Sequence, residues 1–273
     1  DPAYATTNWT NIDAGVTFSV ICGATAVITW HVATTGSDGS GSGTLASPLA
    51  TIQTGINAAT ESDTVSVAAG TYEEQVQFNS KNISLIGQDS SNTIIKWNGG
   101  IAVSLENGLT SHTPHIKNFT IKDGYSDTAG GILISNYGSP VLENLRIVNN
   151  TVIYSSDGNE ILGSGDGGGI NIYNSSPTIL NSYIAYNTAE KRGGGINVQN
   201  STVTFKNTII ANNTATVRGG GIYNHDSNVT LTNVTITNNK ATNDTGGGIY
   251  TTGSTLSVNN SIIWNNFHDE ING

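Results

Sequence analysis

"TVRGGGIYNHDSNVTLTNVTITNNKATNDTGGGIY", residues 216–250, states the same phrase twice, closing on Tyr223 and again on Tyr250. The last glycine of each related phrase falls at Gly131, Gly169, Gly195, Gly221 and Gly248, so the final three intervals are 26, 26 and 27 residues. A second marker runs in step. Asn144, Asn181, Asn207, Asn233 and Asn260 each stand three residues before an isoleucine, Ile147, Ile184, Ile210, Ile236 and Ile263, and Asn82 and Asn118 precede Leu85 and Ile121 in the same way. Paired asparagines follow at Asn149–Asn150, Asn212–Asn213, Asn238–Asn239 and Asn265–Asn266, with Tyr186–Asn187 in the matching place. Self-similarity at a fixed period marks a repeat architecture.

Within each repeat the hydrophobic period is two. "STVTFKN" (201–207) and "SNVTLTN" (227–233) alternate apolar and polar residues, the pattern of a strand with one buried face. One repeat of about three short strands cannot bury that face alone. Stacked repeats can, because like residues pile into columns and each backbone pairs with the coil above. The expectation is an all-β chain, a parallel β-solenoid of three short strands per coil and about 26 residues per coil. Isoleucine columns fill its core. Asn144, Asn181, Asn207, Asn233 and Asn260 form a corner ladder whose amides bond one another at the coil spacing. Ser47 reads as a helix N-cap and Pro48 as a first helical residue, and Leu49, Ile52, Ile56 and Ala59 share one helical face. One capping α-helix near 48–59 is therefore expected to lid the N-terminal end. Residues 1–31 form a separate β-rich segment, an edge strand, cap or assembly arm, ahead of a solenoid over 32–273.

Composition excludes several functions. Lys and Arg total 10 against 20 acidic residues, a net charge of −10, whereas a nucleic-acid partner needs clustered cations on its phosphates. The single cysteine, Cys22, permits no internal disulfide. The longest apolar run, residues 18–30, is too short for a spanning helix, so no transmembrane segment is expected. Few charges, many Thr, Asn and Ser, and no Met suit an exported or cell-surface protein. The glycine triplets are followed by Ile in a strand rather than by Lys and Ser or Thr opening a helix, so they are not phosphate loops.

The columns "GGGIYN…VTLTNVTITNN" resemble the right-handed parallel β-helix of the pectate-lyase-like superfamily, and the Gly-Gly-Ile phrase with its Asn pairs is similar to polymorphic outer-membrane and adhesin-type proteins of that group. The segment "HVATTGSDGSGSGTLASPLATIQTGINAATESDTVSVAAGTYEEQV" (31–76) is similar to the entry segment of many secreted β-helix proteins, polysaccharide lyases among them. The resemblance implies the right-handed fold, and either a structural or a carbohydrate-active role.

Insertions into a regular repeat are where function is grafted. One is "ENGLTSHTPH" (106–115); the other is "TVIYSSDGNEILGSGD" (151–166). The second gathers Asp157, Glu160 and Asp166, hard oxygen donors that suit Ca²⁺, or alternatively a solvated loop rich in turn formers. Near the first, Lys117, Lys122 and Asp123 are the candidates for a lyase base and its charge-neutralising partner, set against plain surface charges. Tyr173, Tyr223 and Tyr250 are expected to share one place after the Gly-Gly-Ile phrase and to form an outward ladder that stacks on sugars. No recurrent acid and base set accompanies the repeats. The favoured reading is thus a non-catalytic structural or adhesive surface protein without cofactor. One reading has it polymerise end to end through the N-terminal segment and an open C-terminal coil; the alternative has residues 1–31 fold back as an extra first coil or edge strand. The alternatives are a lyase or a carbohydrate-binding module acting on acidic glycans.

Overall fold

The computed structural model describes residues 26–154 and 164–273. The chain winds as a parallel solenoid in which each strand pairs with its counterpart one coil away. Sheet one runs from Thr29–Val32 through Thr64–Val67, Ser84–Gly87 and His115–Lys117 to Thr255–Asn259. Sheet two runs from Gly70–Tyr72 to Ile262–Trp264, and sheet three from Val76–Gln77 to Ile271–Asn272. Besides these three, a ribbon of two-residue strands, Tyr125–Ser126 to Lys240–Ala241, pairs coil to coil between sheets two and three. Two residues are too few to show an alternation, which is why the repeat pattern did not announce this fourth ribbon.

The core consists of stacked columns. Ile116, Leu142, Ile179, Phe205 and Leu231 stand in register in sheet one. Ile95, Ile121, Ile147, Ile184, Ile210 and Ile236 do so in sheet two. Val103, Ile132, Ile170, Ile196, Ile222 and Ile249 do so in sheet three. All of these side chains are fully buried, each worth about 1.5–3 kcal/mol against exposure. The early columns need one correction. Leu85 pairs with Ile116 in sheet one rather than with Ile121, so Asn82 lies outside the Asn column and instead accepts from Thr113 N.

The glycine triplets are dictated by close approach. Gly193 adopts φ +65°, and a Cβ on Gly195 would come within 2.6 Å of the Gly221 carbonyl oxygen in the next coil. Ala102 and Glu270 stand in register with this column only in the coils before Gly131 and after Gly248.

The N-terminal end is lidded by α1, Ile52–Ala58, which buries Ile52 and Ile56 on the first coil. The helix starts later than the sequence suggests. Its N-cap is Thr51, whose hydroxyl accepts from Thr54 N, and not Ser47. Leu49 is drawn out of the helix by pairing with Val32, and the Asp38 carboxylate accepts from Ala50 N, Thr51 N and the Thr51 hydroxyl, holding the approach extended. The Glu74 carboxylate then accepts from Ile52 N and Gln53 N. Of the N-terminal segment, residues 1–25, with Cys22, lie outside the described residues. Thr29–Val32 is an edge strand of this chain's own sheet one, paired with Thr64–Val67.

Candidate functional site

Asparagine is the commonest residue at the corners of the coil. Between sheets one and two, Asn118, Asn144, Asn181, Asn207, Asn233 and Asn260 hold left-handed backbones, φ +48° to +65°, which Asn adopts at small cost. Asn144 donates to Asn118 Oδ1 at 2.8 Å, Asn207 to Asn181 at 3.0 Å, Asn233 to Asn207 at 3.1 Å and Asn260 to Asn233 at 2.6 Å. Sequence reasoning located this ladder but overlooked a second, inner one. The second member of each asparagine pair points inward: Asn150, Asn187, Asn213 and Asn239 are fully buried. Each donates both to the next coil's Oδ1 and to a carbonyl of the coil before, as Asn187 does to Asn213 and Ile147. The signal was the doubling of the asparagine, one to turn the chain and one to fill the space behind the turn. Serines form a third row, where Ser175 N donates to Ser201 Oγ, Ser201 N to Ser227 Oγ and Ser227 N to Ser254 Oγ.

The charged residues are distributed over different faces. Lys117 lies on sheet one, its Nζ 3.0 Å from Glu143, which also faces His115 at 3.0 Å. The Lys117 ammonium holds the Glu143 carboxyl below its ordinary range, helped by His115 and opposed by burial. Lys122 lies on sheet two and pairs with Asp123 at 3.4 Å. Asp166 stands at the entrance to sheet three. Lys117, Lys122 with Asp123, and Asp166 therefore do not meet, since they belong to three faces of the solenoid.

The densest polar cluster lies over the outer face of sheet three. Asp166 is completely buried. Its Oδ1 accepts from Arg192 N and Nε, both at 3.1 Å, and its Oδ2 from Gln199 Nε2 at 3.4 Å. Arg192 also donates to the Tyr223 hydroxyl at 3.2 Å and lies 5.0 Å from that ring's centre. One coil on, Arg218 pairs with Asp244 and lies 4.9 Å over Tyr250. Burial pushes the Asp166 carboxyl up to about 6, against the pull of Arg192. Beside it, Asn197 donates to Asn171 at 2.7 Å and Asn171 to the Thr128 carbonyl at 2.7 Å. A small cleft of about 190 Å³ lies between these amides, Tyr173 and Glu106.

Two expectations change here. Asp166 gives its carboxylate to a guanidinium rather than to an acidic group with Asp157 and Glu160, which lie outside the described residues. Among the described residues no three His, Cys, Asp or Glu side chains are grouped to hold a metal. The tyrosines do not form one free ladder. Tyr223 and Tyr250 are in register and stacked, 5.5 Å apart at 4°, but Tyr173 pairs with Gln199 two positions further along the strand. Tyr223 is buried, its face occupied by Arg192. His112, on the first insertion, is buried.

Comparison with known proteins places this geometry. A family model described as "Right handed beta helix region" matches residues 73–267. No curated protein matches the sequence. Among solved structures, the pectin methylesterase from carrot is similar at 12% identity and a TM-score of 0.45, covering 90% of this chain and 89% of its own. A pectin methylesterase from Aspergillus niger is similar at 13% identity and a TM-score of 0.46, covering 85% and 84%. The pectate lyase Pel9A is similar at 13% identity and a TM-score of 0.44, covering 84% of this chain and 69% of its own.

Proposed function

We propose, from the premise that the chain belongs to the right-handed β-helix family, that it is a non-catalytic structural or adhesive protein of the cell exterior. The observation that supports this reading is the disposition of charge. Four acids carried by the coils are engaged locally, Glu143 by Lys117 and His115, Asp166 by Arg192, Asp244 by Arg218 and Asp123 by Lys122. A general base needs a lone pair directed at substrate, and these lone pairs are directed at neighbouring coils or at an adjacent side chain. Secretion or surface display fits the low charge and single cysteine; among the described residues no helix is long and apolar enough to cross a membrane. The test is incubation with polygalacturonate, alginate and chondroitin, with and without Ca²⁺. No unsaturated or shortened product is expected, and product that disappears in Lys122→Ala would overturn the reading.

One observation favours a second reading, an enzyme acting on acidic glycans. Asp166 lies beside Arg192 at the outer face of sheet three, and burial raises its carboxyl to about 6, above the range of a free aspartate. If Asp166→Asn abolished turnover of an acidic glycan while Lys122→Ala did not, this reading would replace the first.

A further inference from the structure

The corner between sheets three and one treats its amides unlike the other two. Asn136, Asn174, Asn200 and Asp226 hold left-handed backbones there, φ +46° to +50°. Asn174 donates to Asn136 at 3.0 Å. Beyond that pair, the Asn200 and Asn228 amides and the Ser176 and Thr202 hydroxyls have no protein partner among the described residues. Between sheets one and two the corner amides are bonded into a ladder, and behind the turn after sheet two the inner asparagines are. Here the corner amides line an open groove of about 830 Å³ that crosses four coils.

The groove has a built end wall. The insertion over residues 107–114 closes it with Gly108 and Thr110. That insertion is pinned to the groove floor by Ser139 N donating to the His112 carbonyl and Val141 N to the Pro114 carbonyl, 2.8 and 2.9 Å. Tyr137 is buried beneath it, its hydroxyl donating to the Lys81 carbonyl. A Cβ on Gly108 would strike the Tyr137 ring at 2.7 Å, so wall and floor are fitted to each other.

No lysine or arginine lines the groove, and its one charge is Asp226. An anionic polymer would find no counter-charge and would meet a carboxylate. The lining is otherwise amide and hydroxyl, groups that exchange hydrogen bonds with neutral hydroxyls in both directions. These groups recur once per coil, at the ~4.8 Å spacing of paired strands, about the length of one pyranose unit in an extended chain.

We propose that this groove binds a neutral polysaccharide chain laid along the solenoid axis, one sugar unit per coil. The proposal stands independently of whether the chain cleaves acidic glycans. The experiment is affinity electrophoresis of the full chain in gels containing galactomannan, xyloglucan, mixed-linkage β-glucan or polygalacturonate. At least one neutral polymer should retard the protein and polygalacturonate should not. Thr202→Trp and Ser176→Trp, which fill the groove from exposed positions, should each weaken binding about tenfold or more. Thr237→Trp on sheet two should leave it unchanged. Far-UV spectra and melting temperatures establish that the variants are folded, and two blocking variants guard against one failing to fold. The proposal is overturned by absence of retardation in all three neutral gels, by retardation in polygalacturonate alone, or by folded groove variants that bind as the parent does.

Discussion

The Asn213 side chain makes four bonds from full burial. Its Nδ2 donates to the Ile184 carbonyl and to Asn239 Oδ1, both at 2.9 Å, and its Oδ1 accepts from Asn187 N and Nδ2, both at 3.0 Å. Asn213→Ala would leave the buried Asn187 backbone N–H without a partner and the Asn187 side-chain amide with only the Ile147 carbonyl, and would open a cavity in the row. The expected loss is about 3–5 kcal/mol, since each stranded buried group costs about 1–3 kcal/mol. Asn207, in the exposed ladder, bonds only Asn181 and Asn233 through its side chain. Asn207→Gly, which keeps the left-handed turn, should lose about 1 kcal/mol or less. Denaturant midpoints of the two variants check the contrast. Asp166 supplies a pH dependence. An unfolded aspartate titrates near ~3.9, and burial raises the folded group to about 6. The folded chain thus holds this proton more tightly than the unfolded chain does. The group's contribution to stability is greatest below pH ~4, falls as pH rises towards 6, and then levels. The melting temperature of the parent minus that of Asp166→Asn should decrease as pH rises from about 4 to about 6.5; a difference that grows over that window would refute the assignment.

At the scale of elements, α1 separates sequence preference from tertiary context. Ser47 followed by Pro48 is a good local start for a helix, yet Thr51 is the cap because Leu49 pairs with Val32 and Asp38 holds Ala50 and Thr51 extended. Thr51→Ala should lose about 1 kcal/mol, and Ser47→Ala, whose hydroxyl only accepts from Ser42 N at 3.4 Å, close to nothing. Equal losses in thermal unfolding would return the cap to Ser47. The same distinction explains which parts of the molecule were legible beforehand. Period-two alternation and a fixed interval are local facts repeated many times, so the strand columns, the glycine triplets and the outer Asn ladder could be read directly. The pairing of Asp166 with Arg192 joins residues 26 positions apart, and the pair one coil on, Arg218 with Asp244, reverses the order of acid and base, so no column of like residues reveals it. Tyr173 was misplaced for a related reason: "GGGINIY" and "GGGIYN" share their glycines, but the tyrosine is shifted by two residues, which preserves the face and changes the neighbour.

Across the whole molecule the two ends differ in how the stacked sheets are covered. At the first coil, Thr29–Val32 and α1 cover the core, and Val32, Ile52, Ile56 and Val65 are buried. In the last coil, Val258, Ile262, Trp264, Phe267 and Ile271 are exposed, with Trp264 at 69%. Strands Thr255–Asn259 and Ile262–Trp264 are sheet edges in this chain. Free edges with apolar side chains are templates for another strand, and a head-to-tail contact between copies repeats without closing. We propose self-association through the last coil, with the N-terminal segment ahead of Thr29–Val32 as the other contact, as the assembly that would accompany the scaffold role. Sedimentation velocity should show a weight-average coefficient that rises with protein concentration. Trp264→Lys combined with Ile262→Lys should abolish the rise, by placing like charges on an edge that must stack on its partner. Deletion of residues 1–25, which leaves Thr29–Val32 in sheet one, should reduce it. A parent chain that sediments as a monomer at every concentration would end the assembly idea, whereas a deletion that alters only the melting temperature would remove the N-terminal segment from the contact and leave the last coil as its sole surface.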